Sequence, residues 1–531
     1  VQAAPEIVAR GREDLPPLRP TASPRLLFAL AALVGLALFL KPTRYGDFVR
    51  VHLPREQALS AAGPAPPGWR AVADFLPNLG VAEIEYLRRN GVDPAPVLQQ
   101  FTFTGLWRVR FFQPLNRQER WVYLNSQGKI VREDHILGEQ DPGANLSQVD
   151  ARALAQQYLG AQGVDFARLR EVDAATDILD LRTDHRFVWE DTVWTVSGAR
   201  ARVSLVMRGD RPSEYRRFLK LPEAWERDFR RVRLQRYLLP AIAGGLGLLL
   251  LIVFLRNLDG HPFQWRSYLA AGVAAAVLPV AGALNGYPTF WAGYNTSKPP
   301  GDYLVDTLLS VAIRALLAAF AATAGMLALD VFLHRRPRSV GSWAVVPSLV
   351  VLFGGALRLV GWGEQFVGGD RFALPLWSAP PVEDAWPGLS VLLDAVIAAF
   401  AGTVAATIVI IVGVALLPPA RRLGYGIGLA LVIALARSDS PWLVLYTFLM
   451  TLALFGLVSV AVRCCGGAIT QLAAAIFLAQ AAAGAFHLIG QPNPDLRNQG
   501  GAALAAAVLA TAAWLYRFRA RPSGAVPRCG P

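Results

Sequence analysis

Long apolar runs and one long polar stretch alternate along this chain. Ten runs are long enough, or nearly long enough, to cross a bilayer, which takes about 20 apolar residues in a helix. They are residues 26–40, 237–255, 267–284, 304–333, 343–360, 389–417, 423–436, 441–462, 468–489 and 501–516. The weakest is "LGYGIGLALVIALA", which is short and rich in glycine. The pattern predicts a polytopic α-helical membrane protein with about ten transmembrane helices.

The polar stretch between the first and second apolar runs has the pattern of an inserted α+β domain. Two segments, "VHLPREQALSAA" and "LSQVDARALAQQYLGAQGVD", have the spacing of short amphipathic helices that open at a polar turn. Apolar and polar residues alternate after each of them, as they do in strands. Because the order helix, strand, strand occurs twice, we predict a duplicated unit, with halves at about 45–140 and 145–236.

Composition agrees with a chain divided between lipid and water. Of the 531 residues, 53% are hydrophobic and 17% are charged, which is too apolar for a single soluble domain. The net charge of +13 comes from arginines beside the apolar runs, as in loops that hold helices against a cytoplasmic leaflet. We therefore expect membrane lipids as partners and no nucleic acid. Cys464, Cys465 and Cys529 have the spacing of neither a disulfide framework nor a zinc motif.

The charges of the loops predict an orientation. Arginines recur in every second loop, from Arg256 and Arg266 to the group at 517–528, and cationic loops translocate poorly. Both termini are therefore expected in the cytoplasm, with the protein in a bacterial inner membrane. No small-residue cleavage pattern follows the first run, which predicts an uncleaved anchor. The predicted parts are a cytoplasmic tail at 1–25, a transmembrane anchor at 26–41, an extracytoplasmic domain at 42–236, a nine-helix transmembrane domain at 237–516 and a basic cytoplasmic tail at 517–531.

Two stretches resemble known families. With "REQALSAA", "LWRVRFF" and "VYLNSQGKIVRE", the first half of the polar domain resembles a PepSY-type module, a small envelope domain found beside peptidases and in membrane proteins. A larger part, through "RGDRPSEYRRFLKLPEAWERDF", "GYPTFWAGYNTSKPP" and "QPNPDLRNQG", resembles multi-pass bacterial proteins of the CPBP (CAAX-protease and bacteriocin-processing) family. That resemblance implies an intramembrane metallopeptidase scaffold, whose motifs are a Glu-Glu pair followed by Arg on one helix and histidines on two others.

This chain departs from that family pattern at the catalytic residues. It has no Glu-Glu pair, and its only glutamates after residue 237 are Glu364 and Glu383, both in a predicted outer loop. A metal-dependent hydrolase needs several ligands on one ion and a carboxylate that takes a proton from the bound water. We therefore expect no catalytic residues, no metal and no cofactor.

His487 ends an apolar run and precedes the polar loop "QPNPDLRNQG". The nearest other histidines in the membrane half, His261 and His334, fall in predicted cytoplasmic loops, about 30 Å away across the bilayer. His487 is thus predicted to be an interfacial polar residue, and it is kept only as a weak candidate polar site.

Three charges interrupt the apolar runs, namely Arg314, Arg358 and Asp394. An unpaired charge in the bilayer centre costs at least ~2.5 kcal/mol, so these side chains are expected to face the bundle interior or an aqueous cavity. There Asp394 would pair with an arginine along a substrate or ion pathway. The alternative for Arg358 and Asp394 is that they reach the headgroups. Arg314 lies deeper, roughly 15 Å along the helix from Tyr303, and is the best candidate for a functional charge.

Aromatic residues crowd one predicted outer loop, with Tyr287, Phe290, Trp291 and Tyr294. Such residues ordinarily anchor helices at the headgroup level. The alternative is a groove for a lipid or a partner protein beneath the external domain.

These observations predict a non-enzymatic integral membrane protein. We expect a regulatory, scaffolding or accessory subunit of a bacterial envelope complex, built on a CPBP-like scaffold without its catalytic residues. One alternative is an active CPBP-type intramembrane metallopeptidase with a displaced site. The other is a transporter of an anionic or lipidic substrate.

Overall fold

The computed structural model describes most of the chain, with gaps. The described residues are 24–40, 46–230, 244–245, 255, 263–333, 345–367, 381–415, 419–437, 441–465 and 469–519. The predicted span at 237–255 lies outside them except for Gly244, Gly245 and Leu255, and so do most of the two predicted cytoplasmic tails.

Residues 46–230, here called the sheet domain, contain two four-stranded antiparallel sheets. The first sheet has the strand order β1 (Arg70–Leu76), β2 (Leu106–Phe112), β3 (Glu119–Leu124), β4 (Ile130–Ile136). The second has the order β5 (Leu169–Ile178), β6 (Thr183–Val196), β7 (Ala199–Arg208), β8 (Arg211–Lys220). Local sequence explains the hairpins: Ser197 and Gly198 join β6 to β7 with φ values of 47° and 97°, and a type I′ turn requires positive φ at both positions.

Helices precede and interrupt these sheets. The helices up to residue 230 are α1 (Pro24–Gly35), α2 (Arg55–Ala61), α3 (Val81–Arg89), α4 (Pro94–Phe101), α5 (Gln148–Ala161) and α6 (Glu223–Arg230). A helix precedes each sheet, α2 the first and α5 the second, but each sheet has four strands where the sequence pattern predicted two. In addition, α3 and α4 are inserted between β1 and β2. The superposition of the two units stays a prediction.

The two sheets meet along β4 and β8. Ser213 Oγ donates a hydrogen bond to the His135 carbonyl oxygen at 2.6 Å, and the Tyr215 amide donates to Asp134 Oδ1 at 3.4 Å. This contact leaves β1 at one end of the sheet domain and β5 at the other. The edge strand β1 is the one that faces the membrane helices.

The remainder of the chain is helical. Its helices are α7 (Trp265–Asn285), α8 (Pro300–Leu333), α9 (Val345–Val367), α10 (Pro387–Ala415), α11 (Pro419–Arg437), α12 (Pro441–Cys465), α13 (Ile469–Ile489) and α14 (Pro494–Arg519). Six stretches in the described residues are long and apolar enough to cross a membrane: Trp265–Asn285, Pro300–Val331, Val345–Gly363, Pro387–Val404, Thr470–Ile489 and Pro494–Tyr516. The protein is thus mostly helical, with six candidate spans and a sheet domain near its N-terminus. The count of ten spans and the orientation stay predictions.

Close packing at glycine joins the first helix to the bundle. A Cβ on Gly355 of α9 would lie 2.2 Å from the Val34 carbonyl oxygen of α1, so only glycine allows this approach of the two backbones. Helices α10, α13 and α14 pack against one another, and α9 packs against α13. The predicted anchor is therefore part of the helix bundle.

Candidate functional site at the junction of the sheet domain and the membrane helices

A continuous apolar cluster links the sheet domain to the helices. Buried residues of the first sheet, such as Phe75 and Trp107, belong to the same cluster as Val391 of α10, Leu488 of α13 and Leu496 of α14. Shared burial of this kind is the main favourable term in domain association. The two parts of the chain therefore pack together directly and are not joined by linkers alone.

A buried ion pair forms the first polar contact across this junction. Arg110 of β2 and Glu119 of β3 are 6% and 9% exposed and are joined by two hydrogen bonds of 2.6 Å. Arg110 Nη1 also donates to the carbonyl oxygens of Trp291 and Ala292 at 3.3 and 3.1 Å, and Thr296 Oγ1 donates to Glu119 at 3.2 Å. The pair thereby holds the loop between α7 and α8 against the sheet.

Aromatic residues of the same loop pack under β1 and β2. Tyr294 is buried against Val72 and Phe112, with Trp291 beside it. Arg70 lies 4.3 Å above the Trp291 ring, a cation–π distance. Tyr287, by contrast, is 65% exposed. The predicted headgroup belt is therefore wrong for Trp291 and Tyr294, because the sheet domain of the same chain covers them.

The second polar contact joins the start of the sheet domain to the loop between α13 and α14. The Val51 amide donates to Gln491 Oε1 at 3.1 Å, and the Asn493 amide donates to the Val51 carbonyl oxygen at 3.3 Å. Arg50 Nη1 donates to the Gly490 carbonyl oxygen at 3.4 Å. Gln491 and Asn493 are both 2% exposed, so their amide groups act inside the junction and not in water.

The third polar contact is made by Glu383, in the segment that leads into α10. Its Oε1 accepts a hydrogen bond from the Phe75 amide of β1 at 2.8 Å. Burial raises the pKa of Glu383 to about 7, and the neighbouring Asp74 and Asp384 act in the same direction. The hydrogen bond from the Phe75 amide is the main influence that opposes this rise in the pKa. Arg108 opposes it less, and its guanidinium is already bonded to both carboxylate oxygens of Asp74, at 2.9 and 2.6 Å.

A hydrogen-bond network holds the Glu383 segment in place. Asn285, the last residue of α7, is buried, and its Nδ2 donates to Ser390 Oγ at 2.7 Å and to the Trp386 carbonyl oxygen at 3.0 Å. Its Oδ1 accepts from the Trp386 amide at 2.9 Å, and Ser390 Oγ donates in turn to Asp384. The end of α7 and the start of α10 are thus locked together beside Glu383.

A cleft of about 250 Å³ opens between these contacts. Its lining comes from the sheet domain, from the segment before α10 and from the start of α14: Val51, Leu53, Pro54, Arg55, Glu56, Trp107, Val382, Asp384, Ala385, Pro387, Asn493, Asp495, Leu496, Asn498 and Gln499. The lining combines apolar side chains with carboxylates, amides and the guanidinium of Arg55. Trp107, which packs edge-on against Phe75 with ring centroids 5.4 Å apart, connects the cleft to the Glu383 contact.

Two of the predicted intramembrane charges are exposed among the described residues. Arg314 is exposed on α8, and its Nε donates to the Ser310 carbonyl oxygen of the same helix at 3.2 Å. Asp394 is exposed on α10, and Arg358 of α9 is half-buried. Among the ion pairs of the described residues, none joins Asp394 to either arginine. Among the described residues, α8 packs mainly on α7. The functional role expected for Arg314, Arg358 and Asp394 stays a prediction.

His487 lies in the last turn of α13 and is half-buried. Its carbonyl oxygen accepts a hydrogen bond from Gln491 Nε2 at 3.4 Å. Within the part of the chain that the structure describes, no three His, Cys, Asp or Glu residues converge as a group that would hold a metal ion. The prediction of an interfacial polar residue stays a prediction.

Sequence reasoning missed the residues that make the junction. Glu383 entered it only as a glutamate of an outer loop, and Gln491 only as part of a quoted motif. The one usable signal was the low arginine content of certain loops. The charge pattern placed the loops that contain Trp291, Glu383 and Gln491 on the same side of the membrane. All three loops contact the sheet domain. The partners themselves, up to 440 residues apart, are not marked by any local spacing.

Comparisons with protein-family models, with curated proteins and with solved structures found no match to this chain. The resemblances to PepSY modules and to the CPBP family therefore stay predictions.

Proposed function

We propose that this protein is a non-enzymatic regulatory or accessory subunit of a bacterial envelope complex, built on a CPBP-like scaffold. In this proposal the sheet domain lies outside the cytoplasmic membrane and binds or senses a companion. Its docking on the outer ends of the helices then relays that state to the membrane part.

The buried pair Arg110–Glu119 is the observation that carries the proposal. A domain that served only as a tethered appendage would need no desolvated charges at its base. Burying an ion pair is expensive unless further hydrogen bonds satisfy both groups, and here the 291–296 loop supplies them. Such a contact favours one docked geometry over others, which is what a relay requires.

The apolar cluster supports the same proposal at larger scale. Because Phe75 and Trp107 share one core with α10, α13 and α14, a displacement of the first sheet changes the packing of three helices. Well-packed cores are not continuously deformable and transmit such displacements. In the described residues, no arrangement specifically favours the metallopeptidase or the transporter, which remain the alternatives.

The test compares how much of the companion protein is retained during purification by variants whose sheet domain is docked and by a variant in which docking is loosened. Glu119→Gln removes one charge of the buried pair and leaves Arg110 uncompensated, so it is expected to loosen docking. Glu139→Gln, which changes an exposed carboxylate of the same domain, is the matched control. The wild type and the control should co-purify from native membranes in mild detergent with a stoichiometric second protein, and Glu119→Gln should retain much less of it.

Two readouts make that result interpretable. Quantitative mass spectrometry gives the ratio of companion to protein, and limited proteolysis at the junction reports whether Glu119→Gln is undocked but still folded. A wild-type protein that purifies alone under every mild condition would refute the accessory role. Equal retention by a demonstrably undocked Glu119→Gln would refute the relay.

A further inference from the structure

Glu383 is a titratable residue at the contact between the sheet domain and the helices. Its side chain bridges two parts of the chain, since the segment before α10 carries it and the edge strand β1 supplies its hydrogen-bond donor, the Phe75 amide, at 2.8 Å. Phe75 pairs with Trp107 of β2 along one edge of β1. Its amide points away from β2, at the free edge of the sheet, toward the helices. Glu383 is thus the acceptor for an edge amide of the sheet.

The charges around Glu383 are unevenly balanced. Asp74 of β1 and Asp384 of its own segment both disfavour a third negative charge nearby. Arg108 of β2 is the cation that faces it, but both carboxylate oxygens of Asp74 already hold that guanidinium. From the helix side the neighbours are neutral, Asn285 and Ser390, and Ser390 donates to Asp384. The Phe75 hydrogen bond favours the ionised carboxylate, but burial and the two neighbouring carboxylates outweigh it. An ionised Glu383 is therefore poorly compensated as long as the sheet stays docked.

We propose that Glu383 is a proton-controlled latch between the sheet domain and the membrane helices. Protonated, its carbonyl oxygen still accepts the Phe75 hydrogen bond without adding charge beside Asp74 and Asp384. Ionised, it is stabilised by separation of β1 from the segment, which lets water reach the carboxylate. The latch rests on the proposed regulatory function and specifies its input as the proton concentration at the junction.

The direction of the effect follows from the two states. The carboxyl titrates near its ordinary pKa of 4.5 when the contact is open and at about 7 when it is closed, so the closed form binds the extra proton between these values. Closure is therefore favoured below that window and weakens as pH rises through it, by at most about tenfold per pH unit for one proton. Above about pH 7 both forms are ionised, and the dependence ends.

The latch is coupled to the cleft. Val382 and Asp384, on either side of Glu383, line the cleft, and Trp107 lines it from the sheet while packing against Phe75. Opening of the Phe75 contact would therefore move residues of the cleft wall on both sides. The same displacement reaches α10 through Val391 and the shared apolar cluster.

The test is amide hydrogen exchange at Phe75 in the full-length protein in lipid nanodiscs. Protection, expressed relative to the pH-dependent intrinsic rate, is measured from about pH 5 to about pH 8, a range that covers most of the predicted window and passes its upper end. For the wild type, protection should fall by up to about tenfold per pH unit and then level off. Glu383→Gln, which is neutral at every pH and still offers a carbonyl acceptor, should give high and flat protection.

Two further variants complete the design. Glu56→Gln changes an exposed carboxylate on the rim of the same cleft and should keep the wild-type slope. Asp384→Asn removes a neighbouring negative charge that raises the pKa of Glu383. The pH above which protection levels off should therefore be lower in this variant. A flat wild-type profile, a wild-type slope in Glu383→Gln, or an unshifted window in Asp384→Asn would overturn the latch.

This experiment separates the latch from the proposed function. Exchange is measured on the purified protein, so it needs no companion. A latch that behaves as expected in a protein that never retains a companion would refute the accessory role alone. A retained companion together with flat exchange at Phe75 would refute the latch alone.

Discussion

At the scale of single residues, the sheet domain matches its buried charges with partners of the same sheet. Arg110 of β2 binds Glu119 of β3 diagonally across the two strands, and Arg120 of β3 binds Glu133 of β4 at 2.6 Å. Cross-strand pairs of opposite charge are a normal stabilising unit of antiparallel sheets. The two pairs differ in solvent exposure: the 291–296 loop covers Arg110–Glu119, whereas the side chains of Arg120 and Glu133 are each about one third exposed.

Glu133 is expected to stabilise the fold in a way that is lost in acid. The hydrogen bond from His135, followed by the one from Arg120, lowers the pKa of Glu133 to about 2, below its ordinary 4.5. A lowered carboxyl pKa stabilises the folded state above pH 4.5, and this contribution is lost as pH falls from 4.5 toward 2. Glu133→Gln should therefore lower stability near pH 7 by no more than ~1 kcal/mol, because the pair is partly exposed and screened.

In the same variant, stability should also fall less steeply with decreasing pH, from about pH 4.5 down to the lowest pH at which the protein stays folded. Chemical unfolding followed by tryptophan fluorescence across this range would measure both effects. Glu139→Gln, in the same domain but exposed, provides the baseline. If the two variants gave the same pH profile, the lowered pKa of Glu133 would be refuted.

At the scale of elements, glycines decide where helices approach most closely. Gly355 of α9 meets the backbone of Val34 in α1, and Gly484 of α13 would bring a Cβ to 2.8 Å from the Val391 side chain of α10. In lipid, helices associate by van der Waals packing and not by the hydrophobic effect, so small residues at the contact matter more than apolar ones. The glycines of the sequence thus contribute to the bundle at particular contacts and not as general flexibility.

The approach of α1 to α9 leads to a specific expectation. Gly355→Ala would place Cβ 2.2 Å from the Val34 carbonyl oxygen, and the two helices must separate to admit it. We expect a loss of ~1 to 3 kcal/mol, as is typical of overpacking. Gly456→Ala in α12, where nothing lies within 4 Å of the added Cβ, should be neutral or slightly stabilising, because alanine favours the helix. Thermal unfolding of the two variants in the same detergent measures the difference, and equal melting temperatures would contradict the α1–α9 contact.

At the scale of the whole molecule, one end of the helix bundle receives the sheet domain. The loop after α7, the segment before α10, the loop after α13 and the start of α14 all contact it. These are among the loops with few arginines, which the charge pattern assigns to the outside. The side of the membrane on which they lie stays a prediction.

Reporter fusions test that orientation directly. A reporter placed after Arg528 should report the cytoplasm, because the basic tail translocates poorly. One inserted at Gly143, in the exposed connection between the two sheets, should report the exterior. A matched insertion in the 291–296 loop is avoided, since it would disturb the junction itself. The opposite pair of readings would invert the topology and move the proposed proton input to the cytoplasm.

The sequence by itself determined the features that depend on neighbouring residues. Hydropathy over about 20 positions marked the apolar helices, and alternation marked strands such as β2, because each depends on local backbone geometry. Only the tertiary structure decided which side chains meet. The Phe75 amide finds Glu383 308 residues away, and a helix that is apolar on all sides, such as α8, has no polar stripe to show which face turns inward. The buried position of Tyr294 was decided by packing between distant segments, which no local pattern encodes.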